Sequence, residues 1–174
     1  MYYTYYKSPL GDIALTANDH GLTALTFMTG KDVTNKEIGS TKIKGISPLL
    51  ITEGYQKNPE KFAQVSQQLT EYFTGERIRF DLPLAATGTP FQQKVWHALC
   101  SIKQGETKTY AWLAKKINNE KAVRAVGSAN GANPIALIVP CHRVIGSNGK
   151  LTGYAGGLAL KAKLLMHEGA LFKP

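Results

Sequence analysis

Residues 109–129 read TYAWLAKKINNEKAVRAVGSA, and their pattern indicates how the second half of the chain folds. Thr109 predicts the start of a short helix over 110–117, because its hydroxyl can accept a hydrogen bond from a backbone N–H of the first turn. The Asn-Asn-Glu triplet at 118–120 indicates a tight turn, and a further helix is expected over 121–129. Two short helices joined by a tight turn are typical of a helix-turn-helix, whose second helix can lie in a groove of DNA.

The second of these helices carries mostly small side chains, with Arg124 as a long cation in its middle. Gly127 and Ser128 follow on the next turn, where small side chains would let the backbone approach another surface closely. Tight packing against a second helix, with Arg124 in solvent, explains the same pattern. The helix by itself therefore leaves both interpretations open.

Turn and cap residues divide the first half of the chain into a sheet and a helix. A helix is expected to begin at Asn58-Pro59 and to end at Gly75, because Asn caps a helix, Pro fits its first turn and Gly stops it. Residues 29–58 have little periodicity and indicate mostly loop. Strands of a small antiparallel meander are predicted over 2–6, 13–17 and 22–27, with one more strand over 80–84.

A linker over 85–88 separates this part from the second half, which begins with a further helix. Thr89-Pro90 predicts its start and Gly105 its end. Its apolar stripe consists of Phe91, Val95, Leu99 and Ile102. We therefore expect two domains, 1–84 and 85–174.

Charge is distributed unevenly between the two halves of this 174-residue chain, which is 43% hydrophobic and carries a formal net charge of +9. Residues 1–90 hold nine basic and nine acidic side chains, whereas residues 91–174 hold twelve basic and three acidic ones. The composition excludes a disordered chain. The segregation predicts a neutral first domain and a second domain that faces a polyanion such as nucleic acid.

Residues 138–145 read IVPCHRVI and place Cys141 beside His142 within an apolar run, which predicts a buried segment. A thiol next to an imidazole favours a thiolate nucleophile, because a neighbouring base or cation lowers the pKa of a thiol. Most buried free cysteines are small core residues, so the octapeptide alone does not decide between the two. A disulfide between Cys100 and Cys141 also stays open, although a reducing compartment argues against it.

Together with motifs on either side, this octapeptide resembles the O6-alkylguanine-DNA alkyltransferases, also called methylated-DNA–protein-cysteine methyltransferases. The resemblance covers most of residues 90–170, and the first half shares only its size and its strand-then-helix order. It implies an α/β chain with a ribonuclease-H-like sheet-and-helix domain followed by a mostly helical, winged helix-turn-helix-like domain. The matching residues are Gly105-Glu106, Tyr110, Arg124-Ala-Val-Gly, Asn133-Pro134, Pro140-Cys-His-Arg-Val, Gly153-Tyr-Ala-Gly-Gly-Leu, Leu164-Leu165 and His167-Glu-Gly.

The resemblance assigns chemistry to four of these side chains. Cys141 would accept the alkyl group from guanine O6 in a single, irreversible turnover. His142 would act as the base, through a water molecule, and Glu168 would orient its imidazole, which is the nucleophile–base–orienter arrangement of a catalytic triad. Tyr110 would donate a proton toward N3 of the leaving base.

The remaining matches are implied to bind DNA. Arg124 would fill the gap left by the extruded base, Asn133 would tie the recognition helix to the strand that carries Cys141, and the small residues Gly127 and Ser128 would approach the minor groove. Four residues would line the base pocket or bond O6: Val144, Ser147, Tyr154 and Ala155. Ala155 replaces the serine of some relatives, so a backbone N–H would have to serve there.

The expected partner is double-stranded DNA containing O6-alkylguanine, bound by a monomer; adduct size, O4-alkylthymine and cooperative binding stay open. We expect no cofactor, and no metal site of the kind some relatives have in the first half, because both cysteines lie after residue 90. The N-terminus lacks an apolar signal core and no apolar run could span a bilayer. These features predict a cytoplasmic protein with no membrane partner.

Three other functions use parts of the same pattern. A lesion-binding relative that transfers nothing would lack the cysteine, whereas Cys141 is present. A transcription factor would need more base-reading side chains than this recognition helix carries. A cysteine hydrolase would need an oxyanion site and open access for water, and would not explain the charge segregation.

Overall fold

The computed structural model describes residues 1–28 and 54–173, and the chain forms two compact units, Met1–Ala86 and Thr87–Pro174. These units differ by two residues from the predicted domains, 1–84 and 85–174. Among the helices of the described residues, none is long and apolar enough to cross a membrane.

The first unit contains a four-stranded sheet in the order β3-β2-β1-β4. Strands β1 and β2 pair antiparallel, as do β2 and β3, which confirms the predicted meander. Strand β4 pairs parallel with β1 and was not expected, because it lies at the end of the segment predicted as loop, most of which falls outside the described residues. The strands are β1 Tyr2–Ser8, β2 Gly11–Ala17, β3 Leu22–Phe27 and β4 Gln56–Lys57.

Helix α1, at Ala63–Thr74, also belongs to this unit and confirms the helix predicted after Asn58. The Asn58 side chain accepts a hydrogen bond from the backbone of a 3-10 turn, Pro59–Phe62, that precedes α1. Gly75 ends the helix with φ of 83°, a left-handed conformation that glycine adopts without steric cost. The local signals therefore specify the 3-10 turn that leads into α1 and the C-terminal end of the helix, whereas Phe62, at the N-cap position of α1 itself, makes no side-chain cap hydrogen bond.

The predicted strand over 80–84 is wrong, because only Leu84 forms a bridge, to Leu22 of β3. Two features prevent a longer ladder. Pro83 has no N–H to donate, and the Gln68 side chain forms hydrogen bonds with both the N–H and the carbonyl of Asp81, each at 2.9 Å. The segment is therefore held by a side chain of α1.

The second unit contains four helices and a two-stranded parallel sheet of β5 and β6. Helix α2 begins at a capping box between Thr89 and Gln92 but ends at Leu99 instead of the predicted Gly105. Ser101 donates its hydroxyl to the Ala98 carbonyl at 2.7 Å, which competes with continuation of the helix. The elements are α2 Pro90–Leu99, β5 Lys108–Thr109, α3 Tyr110–Lys116, α4 Val123–Gly131, β6 Val144–Ile145 and α5 Leu158–His167.

Helices α3 and α4 form the predicted helix-turn-helix. The Thr109 hydroxyl accepts from the Trp112 N–H at 3.1 Å, so this residue caps α3 as expected. Asn118 turns the chain with φ of 57°, and a 3-10 turn delays the start of α4 to Val123. Trp96 of α2 donates its indole N–H to a carbonyl of α4 at 2.8 Å, which fixes α4 against the core.

Candidate active site

Cys141 lies in a 3-10 turn, Cys141–Arg143, directly before β6, and only 6% of it is exposed. The expectation of a strand at this residue is wrong: the Cys141 N–H bonds the Val139 carbonyl in a local turn, and the preceding Pro140 has no N–H for a ladder. Asn133, just after α4, donates its amide to that same Val139 carbonyl at 2.8 Å. The recognition helix is thereby connected to the segment that carries the thiol.

His142 and Glu168 form a hydrogen-bonded pair beneath this turn. The His142 Nε2 to Glu168 Oε1 distance is 2.9 Å, and both side chains are 0% exposed. Glu168 caps the C-terminus of α5, so the end of that helix brings the carboxylate to a histidine 26 positions earlier in the chain. The structure therefore brings these two side chains together, and the catalytic roles expected for them stay predictions.

Arg143 holds the carboxylate of Glu168 from the other side. Its Nε donates to Oε2 at 2.8 Å and its Nη2 to Oε1 at 2.9 Å, while Nη1 donates to the Ile102 carbonyl at 2.6 Å. A planar guanidinium bound to both carboxylate oxygens restricts their orientation more than a single hydrogen bond could. Glu168 is thus presented to His142 in one orientation.

These contacts determine the protonation of the pair. Burial by itself would raise the pKa of Glu168, but the hydrogen bonds from His142 and Arg143 outweigh it and lower that pKa to about 2. Burial lowers the pKa of His142, so its imidazole is neutral near pH 7. An ionised carboxylate needs a donor, so Nε2 carries the proton and Nδ1 is the acceptor; Nδ1 is buried and has no partner among the described residues.

The thiol of Cys141 is protonated at rest, which corrects the expectation of a preformed thiolate. Burial is the dominant effect and raises the pKa of Cys141. A hydrogen bond from the Asn133 side chain and the charge of Lys161 act in the opposite direction without overcoming it. Since His142 is neutral, it supplies no positive charge to hold an anion, and the proton must leave during the reaction.

Lys161 is a buried cation, 0% exposed, whose charge acts on the Cys141 thiol. Its ammonium donates to the Val144 carbonyl at 2.6 Å and to the Thr152 carbonyl at 2.7 Å. Burial lowers the pKa of Lys161 to about 8, while attraction to an ionised Cys141 raises it. Lys161 therefore stays mostly charged at pH 7 and joins β6 to the loop before α5.

Two tyrosines stand near these groups. Burial raises the pKa of Tyr154 well above its usual value, followed by repulsion from Cys141 and Glu168, so its hydroxyl is neutral. That hydroxyl is buried and has no partner among the described residues. Tyr110, the first residue of α3, accepts a hydrogen bond at its phenol oxygen from the Thr152 hydroxyl at 3.0 Å.

Comparisons with known proteins agree with this arrangement. The family model for the 6-O-methylguanine DNA methyltransferase ribonuclease-like domain matches residues 1–86, and that for its DNA binding domain matches residues 90–170. The methylated-DNA–protein-cysteine methyltransferase of Methanosarcina acetivorans is 49% identical over 170 residues, which cover 98% of this chain and 99% of the relative. The chain belongs to the 6-O-methylguanine DNA methyltransferase family.

Further relatives confirm the fold class expected from the sequence. The constitutive methylated-DNA–protein-cysteine methyltransferase of Bacillus subtilis is 44% identical, over 99% of this chain and 98% of its own. The crystal structure of the Mycobacterium tuberculosis OGT in complex with DNA matches with a TM-score of 0.82 at 40% identity, over 97% of this chain and 93% of that one. The ribonuclease-like first unit and the helical DNA-binding second unit are thus those of the methyltransferase family.

The residues predicted to touch DNA lie mostly on the surface of the second unit. Arg124 and Ser128 are exposed on α4, one turn apart, and the Ser128 hydroxyl donates to the Arg124 carbonyl at 3.3 Å. Gly127 is half-buried beside the ring of Tyr110. This face of α4 therefore offers one long cation among small side chains, as the sequence indicated.

The residues predicted to line the base pocket differ in their exposure. Ser147 and Ala155 are exposed in loops on either side of Thr152. Val144 has no exposed surface at all, so a base could reach it only after its neighbours move. The roles of all these residues stay predictions.

Two residues of the site were given no role from the sequence. Arg143 belongs to the matched Pro-Cys-His-Arg-Val motif, and a charged side chain inside an apolar octapeptide indicates that it is buried and paired. Lys161 occupies the position of a core residue on α5, since Leu164 and Leu165 on the same face are fully buried. A lysine on an apolar helical stripe is the pattern that could have identified it.

Proposed function

We propose that this protein reverses alkyl damage in DNA by transferring the alkyl group from O6 of guanine to Sγ of Cys141. Reversal of DNA alkyl damage is the activity of its methyltransferase family. The observation that carries the residue assignment is the buried His142–Glu168 pair, whose unpartnered Nδ1 belongs to the residue after Cys141. The pair is a neutral base held by a carboxylate that remains ionised.

The first step removes the proton of the Cys141 thiol. His142 takes it at Nδ1, through a water molecule, and the resulting imidazolium is stabilised by the ionised Glu168 at 2.9 Å. The thiolate then attacks the alkyl carbon in line with the C–O6 bond. The S–C bond forms as the C–O6 bond breaks, and the electron pair of the broken bond passes to the guanine.

The leaving guanine needs a proton, because its anion is a poor leaving group. Tyr110 supplies it toward N3 from the start of α3 and regains a proton from solvent, while His142 releases to solvent the proton that it took from the thiol. The products are a guanine and an S-alkyl Cys141. A thioether is stable, and the scheme includes no step that cleaves it, so each molecule reacts once. No step uses a cofactor or a metal ion, which stays a prediction.

Access to the sulfur requires extrusion of the damaged nucleotide. Cys141 is only 6% exposed, and O6 in a duplex is stacked and paired, so the base must leave the helix to meet the thiol. Arg124 on the exposed face of α4 fills the gap in the stack, and the small residues around it approach the minor groove. We expect a monomer that binds double-stranded DNA containing O6-alkylguanine with strong salt dependence. A cytoplasmic location stays a prediction.

Intact mass measurement tests the transfer directly. The protein is mixed with a duplex containing O6-methylguanine, and the expected result is a single added CH2 that maps to the peptide of Cys141. The Cys141→Ser variant is the matched control and should bind the duplex without gaining mass. Tight binding without any mass change in the wild-type protein would identify a lesion binder, and a gain of mass at another residue would show that the acceptor is misassigned.

A further inference from the structure

Thr152 has no role in the proposed reaction, but its side chain contacts Tyr110, which does. Its hydroxyl donates to the phenol oxygen of Tyr110 at 3.0 Å, although the two residues are 42 positions apart. A phenol has one hydrogen to donate and can also accept. Because Thr152 supplies the hydrogen of this contact, the hydrogen of Tyr110 remains available for another acceptor.

The backbone of Thr152 is itself fixed in place. Its carbonyl accepts from the buried ammonium of Lys161 at 2.7 Å. The preceding residue, Leu151, packs against a buried apolar cluster of Ile145, Leu165 and Ala170. The exposed hydroxyl of Thr152 is therefore carried by an anchored backbone.

The ammonium of Lys161 also helps to position the backbone of Tyr110. Lys161 bonds the carbonyl of Val144 in β6, and β6 pairs in parallel with β5, whose last residue precedes Tyr110. Both ends of Tyr110, its backbone through this ladder and its hydroxyl through Thr152, are thus positioned relative to one buried cation. A proton donor aimed at a bound base gains from such fixed geometry, because its orientation is not lost when the base arrives.

We propose that Thr152 is a positioning residue for the alkyl transfer, which holds the phenol of Tyr110 by donating to its oxygen and so directs the phenol hydrogen toward the leaving guanine. This inference rests on the proposed function. It assigns to Thr152 an effect on protonation of the leaving base and no effect on the thiol.

Substitution of the hydroxyl tests this assignment. Thr152→Val keeps the shape and the backbone carbonyl that binds Lys161, whereas Thr152→Ser keeps the hydroxyl. Single-turnover transfer from an O6-methylguanine duplex is measured against protein concentration. We expect Thr152→Val to lower the maximal rate about 3- to 10-fold, the worth of one hydrogen bond, without changing the half-saturating concentration. Thr152→Ser should restore the rate.

Two further measurements separate positioning from a merely structural effect. In a Tyr110→Phe background, Thr152→Val should not lower the maximal transfer rate any further, because the phenol oxygen to which the Thr152 hydroxyl donates is absent. Alkylation of Cys141 by iodoacetamide, followed by peptide mass, should be unchanged by Thr152→Val, because iodide leaves without a proton.

An unchanged transfer rate in Thr152→Val, an equal loss in the Tyr110→Phe background, a slower reaction with iodoacetamide or a failure of Thr152→Ser to restore the rate would each overturn the assignment. These outcomes are distinct from failure of the proposed function. In that case the wild-type protein itself would gain no alkyl group from the duplex.

Discussion

Replacing Lys161 by Met should change the pH dependence of stability in a defined direction. In the folded protein, burial lowers the pKa of Lys161 from 10.5 to about 8. Between these two values the unfolded chain holds a proton that the folded chain has lost, so the free energy of unfolding rises with pH over this range. Met fills similar volume and does not titrate, so the variant lacks this contribution.

The size of the effect follows from the two pKa values. For a single group with these values, linkage gives a gain of about 2 kcal/mol in the free energy of unfolding between pH 7 and pH 9.5. Lys161 is 0% exposed, so solvent screening does not reduce this figure. At pH 7 the Met variant loses two hydrogen bonds to carbonyls but also avoids the burial of a charge, and these effects oppose each other.

Urea unfolding at several pH values measures the difference. The experiment uses a Cys141→Ser background for every protein, because an ionising thiol next to Lys161 would add its own pH dependence. The difference in unfolding free energy between parent and Lys161→Met should move about 2 kcal/mol in favour of the parent from pH 7 to pH 9.5. Lys163→Met, at an exposed position of the same helix, is the matched control and should show no such change. Parallel pH curves for the parent and Lys161→Met would refute the reasoning.

Three further substitutions test other parts of the structure. Arg124→Ala should slow repair of a duplex more than reaction with free O6-benzylguanine, since only the duplex needs a filled stack; equal losses in single-turnover rates would contradict this. Glu168→Gln should slow the reaction with free O6-benzylguanine at least about tenfold and destabilise the fold by about 3–5 kcal/mol, because an amide cannot pair with both His142 and the Arg143 guanidinium. Inactivation kinetics measure the first effect and thermal unfolding the second, and an unchanged rate would show that Glu168 does not assist His142. Gly75→Ala should lower the free energy of unfolding by about 1–2 kcal/mol, because φ of 83° is strained for any residue with a Cβ; a urea midpoint equal to that of the wild type would argue against the left-handed cap.

Secondary structure was predictable where a single residue determines the backbone conformation next to it. The side chain of Thr109 caps α3, that of Asn58 caps the 3-10 turn before α1, and Gly75 ends α1, as their residue types indicate. The predictions of secondary structure failed where a hydrogen bond from a distant or competing partner determined the local conformation. Gln68 takes the hydrogen bonds of Asp81 that a strand over 80–84 would have needed, and the residues before Gly105 form turns instead of helix.

The residues proposed to react could be named from the sequence because their motifs are ordered and specific. Cys141 and His142 are neighbours in sequence, and Glu168 follows in the His-Glu-Gly motif. Their protonation was not identifiable in the same way. The sequence suggested a thiolate, whereas burial, which depends on every packed neighbour, keeps the thiol protonated and the imidazole neutral.

The family, the two-part architecture and the residues available for the chemistry could be predicted from the order of amino acids, because local capping, apolar periodicity and motif order are properties of the chain itself. Tertiary packing determines which side chains meet. It joined Glu168 to His142 and Arg143, buried Lys161 between two carbonyls, and brought the hydroxyl of Thr152 to Tyr110. Hydrogen bonds of this kind form across tens of residues, and the pKa of each group follows from the water that packing removes around it.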